Sequence, residues 1–139
     1  MIKIISSEVN ASKLNEYYNW VVDEWGTVDS FDKVKNGLEL PAPLLALNEG
    51  TLVGGLSFTV YQSPSGSGMA LWINTVYIHE NSRGFGIASR LILKAEEVSR
   101  KFCRELFVYT DKPDLYRKLG WRVVEEGEEN TVLMKEVSL

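Results

Sequence analysis

The chain has 139 residues, 45% hydrophobic and 24% charged, with a formal net charge of −4, which suits one globular domain, 1–139, with a core that needs no staples. Its 15 basic residues are scattered, which argues against nucleic acid as a partner. A single cysteine (Cys103) and a single histidine (His79) argue against an internal disulfide, a thiolate cluster or a multi-histidine metal site.

Residues 1–5 form a short apolar stretch, too short for a signal peptide, and read as an opening strand. No apolar run nears the roughly 20 residues needed to cross a bilayer, so no membrane role is expected and the cytoplasm is the expected compartment. Residues 11–25 are predicted as a helix: Leu14, Tyr17, Tyr18, Val21, Val22 and Trp25 recur at three- and four-residue steps, and Gly26 stops it. Asp29 and Ser30 can cap a second short helix carrying Phe31, Val34, Lys35 and Leu38, with Gly37 and Pro41 ending it.

The period then becomes that of strands. Residues 44–47 and 51–61 are joined by Asn48-Glu49-Gly50, a good hairpin turn. Residues 63–68 are a Ser/Gly-rich loop. Residues 69–78 are almost continuously apolar, as a central strand should be. Strict alternation would place Trp72, Asn74, Val76 and Ile78 on one face. The longest predicted helix, 86–102, carries an apolar stripe of Ala88, Leu91, Ile92, Ala95, Val98 and Phe102. A short strand at 106–110 precedes a compact helix with Pro113 in its first turn and Gly120 at its end. Residues 121–124 and 131–137 close the chain as two strands. The order β-α-α-β-β-β-α-β-α-β-β predicts an α/β (α+β) fold: a mixed sheet with helices on both faces.

The segment that carries chemistry is the exit from the strand 69–78. A polar loop follows, and then Arg83-Gly84-Phe85-Gly86-Ile87-Ala88-Ser89 opens the long helix. The first turn of a helix has backbone N–H groups without intrahelical partners, at the positive end of the peptide dipoles. Glycines at 84 and 86 let a bulky anion approach that backbone, because no Cβ stands in the way. The amides of 84–89 can then converge on a pyrophosphate, with Arg83 adding a fixed charge. A dinucleotide turn would want glycine where Ser89 stands, and a nucleoside-triphosphate loop would end in Lys and Ser or Thr, which is absent.

Arg83-Gly84-Phe85-Gly86-Ile87-Ala88 resembles the pyrophosphate motif of the GNAT superfamily of N-acetyltransferases. Leu115-Tyr116-Arg117-Lys118-Leu119-Gly120-Trp121 is similar to that family's carboxy-proximal motif. The resemblance implies a splayed central sheet and acetyl-CoA as the acyl donor, with no metal. It implies that the pantetheine arm pairs with Val76, Tyr77 and Ile78, that residues 83–89 hold the pyrophosphate, and that Tyr116 is the general acid for the departing thiolate. It also implies direct attack on the thioester by a primary amine, either a small molecule or a protein amino group, and it leaves room for a homodimer. Family members commonly supply a carboxylate base from a central strand. Here 69–78 offers only Asn74 and Thr75 as polar side chains, which keeps open a non-catalytic acyl-CoA-binding module. Glu24 is a remote candidate base at the end of the first helix. His79 reads as a solvated loop residue, Cys103 as a packed small hydrophobe, and the aromatics of the first helix as core.

Overall fold

The computed structural model describes residues 1–26, 31 and 33–138. Its elements in chain order are β1 (Ile2–Ser6), α1 (Ala11–Trp25), β2 (Val34–Lys35), β3 (Leu38–Glu39), β4 (Leu44–Asn48), β5 (Thr51–Gln62), β6 (Met69–Ile78), α2 (Ile87–Ser99), β7 (Glu105–Thr110), α3 (Pro113–Arg117), β8 (Arg122–Glu126) and β9 (Thr131–Glu136). Seven strands form one mixed sheet in the order β1-β4-β5-β6-β7-β9-β8, in which β6 and β7 are the parallel pair. No helix among the described residues is long and apolar enough to cross a membrane.

The two long helices lie on opposite faces because the strands alternate. On β4, Leu44 and Ala46 join the larger core with Leu91, Ile92 and Ala95 of α2, whereas Leu45 faces Tyr17 and Val21 of α1. Helix α1 lies close to the sheet at Gly55: a Cβ there would stand 2.6 Å from the Tyr17 ring. The Asn10 side chain caps α1 by accepting a hydrogen bond from the Lys13 amide at 3.0 Å, and Gly26 ends the helix. Helix α3 sits on the α2 face, with Tyr116, Leu115 and Leu119 packed into the larger core.

Three expectations are corrected. Among the described residues the second helix is absent: Val34–Lys35 and Leu38–Glu39 form an antiparallel hairpin. Its turn is Asn36-Gly37, with φ of 51° and 82°, the left-handed pair that a two-residue hairpin requires. Tertiary bonds hold it over β5, from Lys35 Nζ to Thr59 Oγ1 at 2.8 Å and from Asn36 Nδ2 to the Val60 carbonyl at 3.1 Å. The proposed caps, Asp29 and Ser30, lie outside the described residues. The long helix is also shorter at its end, stopping at Ser99.

The third correction concerns β6. The pairing with β5 runs Ser57↔Thr75 and then Phe58↔Ile73, so Asn74 is an extra, bulged residue. A bulge reverses the facing of everything beyond it. Trp72 therefore packs with Phe107 and Met134, while Val76 and Ile78 pack in the larger core on the other face. Thr75 now points toward α1, where its hydroxyl meets Tyr17 Oη at 2.7 Å and also bonds Ser57 Oγ.

Candidate active site

The bulge coincides with a split in the sheet. Strands β6 and β7 pair only at Leu71↔Leu106, Trp72↔Phe107 and Ile73↔Val108. From Asn74 onward the β7-facing edge of β6 has no strand partner among the described residues. A cleft of about 840 Å³ fills the gap, walled by 73–78 on one side and by Val108–Lys112 with Tyr116 on the other. Two parting strands leave exactly one kind of surface, backbone donors and acceptors that must be satisfied from outside.

The same cleft runs to the amino end of α2, where Arg83, Gly84 and Gly86 to Ser89 line it. Gly84 and Gly86 have φ of 87° and 77°, a region that L side chains rarely adopt, and a Cβ on either would meet no atom within 4 Å. The cradle is thus open toward the cleft. Gly86 caps α2 without a side-chain bond, so the amides of the first turn stay available. Arg83 is anchored rather than free: its Nε donates to the Ile78 carbonyl at 2.8 Å, and its guanidinium lies 5.5 Å from the Tyr77 ring centroid. Of the eleven residues singled out from the sequence, ten border this one cleft. Phe85 does not; its side chain is 75% exposed.

Tyr116 enters the cleft wall from α3. It is 3% exposed and packs edge-on against Trp121 at 5.1 Å between ring centroids. Burial pushes its hydroxyl well above the usual tyrosine range, so it keeps its proton at neutral pH. The Tyr17 hydroxyl is raised in the same way, chiefly by burial.

Residues 11–121 match the family described as the acetyltransferase (GNAT) family. The chain belongs to it. No curated protein matches. Among solved structures, this acetyltransferase is similar to NAA60 of Arabidopsis thaliana in complex with acetyl-CoA, at 18% identity and a TM-score of 0.71, covering 98% of this chain and 99% of that one. Naa50 of Arabidopsis thaliana, in complex with the bisubstrate analogue CoA-Ac-MVNAL, aligns at 18% identity and a TM-score of 0.66, covering 97% and 98%. yncA of Salmonella typhimurium, with its cofactor acetyl-CoA, aligns at 16% and 0.67, covering 100% and 95%. At these identities the likeness is one of fold.

The acetyltransferase also brings to the cleft residues outside the two sequence motifs. Glu24 and Trp25, at the end of α1, line it, as do Asn74, Thr75, Tyr109, Asp111, Lys112 and Asn130. A lone Asn within an apolar strand was the available signal for the bulge. Trp25 reads as core from its helical spacing, yet at the end of α1 it is 51% exposed. His79 accepts a hydrogen bond at Nδ1 from the Asn81 amide and lies 5.3 Å from the Trp20 ring, so it caps a turn. Cys103 is partly buried, and burial pushes its thiol up to about 11, which leaves it unreactive. Among the described residues no group of His, Cys, Asp and Glu could hold a metal ion.

Proposed function

We propose that the protein transfers an acetyl group from acetyl-CoA to a primary amine, by direct attack of the amine on the thioester. The observation that carries this reading is the continuity of one cleft from the split strands to the open first turn of α2. An extended, amide-rich arm ending in a diphosphate is the ligand that uses both ends at once. The unpaired edge of β6 at Val76–Ile78 takes the pantetheine arm, and the amides of 84–89 with Arg83 take the diphosphate. Acetyl-CoA is present in the similar NAA60 and yncA structures, which supports the same donor here.

The chemistry then divides among this chain's groups. Backbone donors beside the bulge stabilise the oxyanion as nitrogen bonds to the carbonyl carbon. Tyr116 donates its hydroxyl hydrogen bond to the sulfur as the C–S bond breaks. Because burial holds its pKa above 10, and a thiol titrates near 8.5, complete transfer from Tyr116 to sulfur runs uphill in the free protein. The attacking nitrogen loses one proton and sulfur gains one, so Tyr116 stabilises the leaving group while the amine supplies the balance. Titrating the protein with acetyl-CoA by calorimetry, alone and with Gly86→Asp, tests the cradle. Equal affinity for both proteins would refute it.

One observation favours a second reading, a binding module without turnover: neither β6 nor the cleft-lining part of β7 carries a carboxylate. Thiol release from acetyl-CoA across a panel of amines, with Tyr116→Phe as control, separates the two.

A further inference from the structure

The α1 side of the cleft has a chemical character of its own. Trp25 stands half in water at the last turn of α1, although Tyr17 and Val21 of the same helix are fully buried. Its indole is not loose: it meets the Tyr77 ring edge-on at 6.0 Å. Tyr77 is itself held by Trp20 at 5.8 Å and by the Arg83 guanidinium at 5.5 Å. The result is a supported aromatic platform on the α1 side of β6. Across the split, Tyr109 continues the face of β7 that buries Phe107, yet Tyr109 is 64% exposed and lines the cleft. Both rings present apolar area to the cleft that the fold itself leaves uncovered.

Charge narrows the ligand further. Among the described residues, the charged groups of the cleft lining are Glu24 and Asp111 against Arg83 and Lys112, a balanced set that gives no advantage to a polycation. The acidic Glu128 and Glu129 precede Asn130 but do not line the cleft. On the α1 side Glu24, beside Trp25, is the one lining carboxylate among the described residues. One acid next to one platform suits one amine on one ring.

Resting on the acetyltransferase reading of this cleft, we propose that the acceptor is a small primary amine carried on an aromatic ring, the ring seated on Trp25 and Tyr109 and the amine drawn in by Glu24. The ammonium enters as a cation, which the carboxylate and the ring faces attract; it gives one proton to solvent and attacks as the neutral amine, whose second proton ends on the CoA sulfur. A peptide would also offer an amine, but its backbone would need matching donors and acceptors on the platform, which is built of rings.

The test uses the full chain with acetyl-CoA and reads thiol release with phenethylamine, hexylamine, spermidine and a Met-initiated peptide. Phenethylamine is expected to show the highest kcat/KM, about tenfold above hexylamine. Trp25→Ala should cut phenethylamine turnover at least fivefold more than hexylamine turnover, through KM. Trp25→Phe should restore most of the loss, and acetyl-CoA affinity should stay within twofold in both variants. Equal losses for the two amines, or spermidine or the peptide as best acceptor, would overturn the proposal. So would a panel that is neither turned over nor bound by saturation-transfer NMR while acetyl-CoA binds. Failure of acetyl-CoA itself to bind would bring down the underlying acetyltransferase reading as well, and calorimetry distinguishes that case.

Discussion

Replacing Thr75 by Val removes a single hydroxyl while keeping the shape of the side chain, and the surroundings make that hydroxyl expensive to lose. It is shared by Tyr17 Oη, 2.7 Å away, and by Ser57 Oγ, and all three residues are buried. Without it Ser57 has no partner among the described residues, and Tyr17 keeps only the Thr75 carbonyl at 3.5 Å, the far edge of hydrogen-bonding range. A buried polar group left unsatisfied costs about 1–3 kcal/mol. Two such groups, one partly rescued, give an expected loss of about 2–4 kcal/mol. With a urea m-value of about 2 kcal/mol/M, the unfolding midpoint should fall by about 1–2 M. Substituting the partners as well should reverse much of this, because apolar groups of similar shape leave nothing unsatisfied. The triple variant Tyr17→Phe, Ser57→Ala, Thr75→Val should therefore be more stable than Thr75→Val alone. Urea titration followed by far-UV circular dichroism measures both. A single variant costing under about 0.5 kcal/mol, or a triple variant no better than the single, would show that the hydroxyl chain does not hold the bulge.

Other outcomes follow from the site. Gly86→Asp should weaken acetyl-CoA binding at least a hundredfold by calorimetry, since it puts a carboxylate into the anion cradle. Its stability cost should stay near 1–2 kcal/mol, because the added side chain meets strain at φ 77° but no clash. Tyr116→Phe keeps the packing on Trp121 and, by removing a hydrogen-bond donor to the charge developing on sulfur, should lower kcat about 100-fold with little change in the KM for acetyl-CoA, read by thiol release. Stability should fall as pH rises past about 9. Cys103, Tyr17 and Tyr116 are all held above their ordinary pKa by burial, so the unfolded chain releases these protons first. Each then lowers the unfolding free energy by about 1.4 kcal/mol per pH unit until its folded-state pKa is reached. Urea titrations at pH 9, 10 and 11 should show this slope, and Tyr116→Phe should make it shallower between pH 10 and 11.

What could be read from the residues was whatever depends on neighbours in the chain. The amphipathic period of α1 and α2 and the glycine turn between β6 and α2 are local patterns, and they appear where expected. The hairpin of β2 and β3 was missed because two-residue strands are too short to show a period. Asn36-Gly37 was its one local mark, and its anchors on Thr59 and Val60 are distant in sequence. The bulge at Asn74 was hidden for a related reason. Alternation along one strand says which residues share a face only while the pairing is regular, and the slip is decided by β5. Trp25 shows the same limit at the site. Its indole has the spacing of a core residue, but the helix runs past the sheet it covers.

The parallel seam between β6 and β7, only three residue pairs long, makes the sheet two plates that share a short weld. A ligand arm lying in the gap would act as a borrowed strand, and its gain would be divided between affinity and rigidity. Those backbone amides of 74–78 that point away from β5 should then exchange quickly in the free protein and slow together when acetyl-CoA is added. At a hundredfold excess over the dissociation constant, linkage adds about 2.7 kcal/mol to the folded state. The donor would thus complete the architecture of the enzyme before it takes part in any reaction.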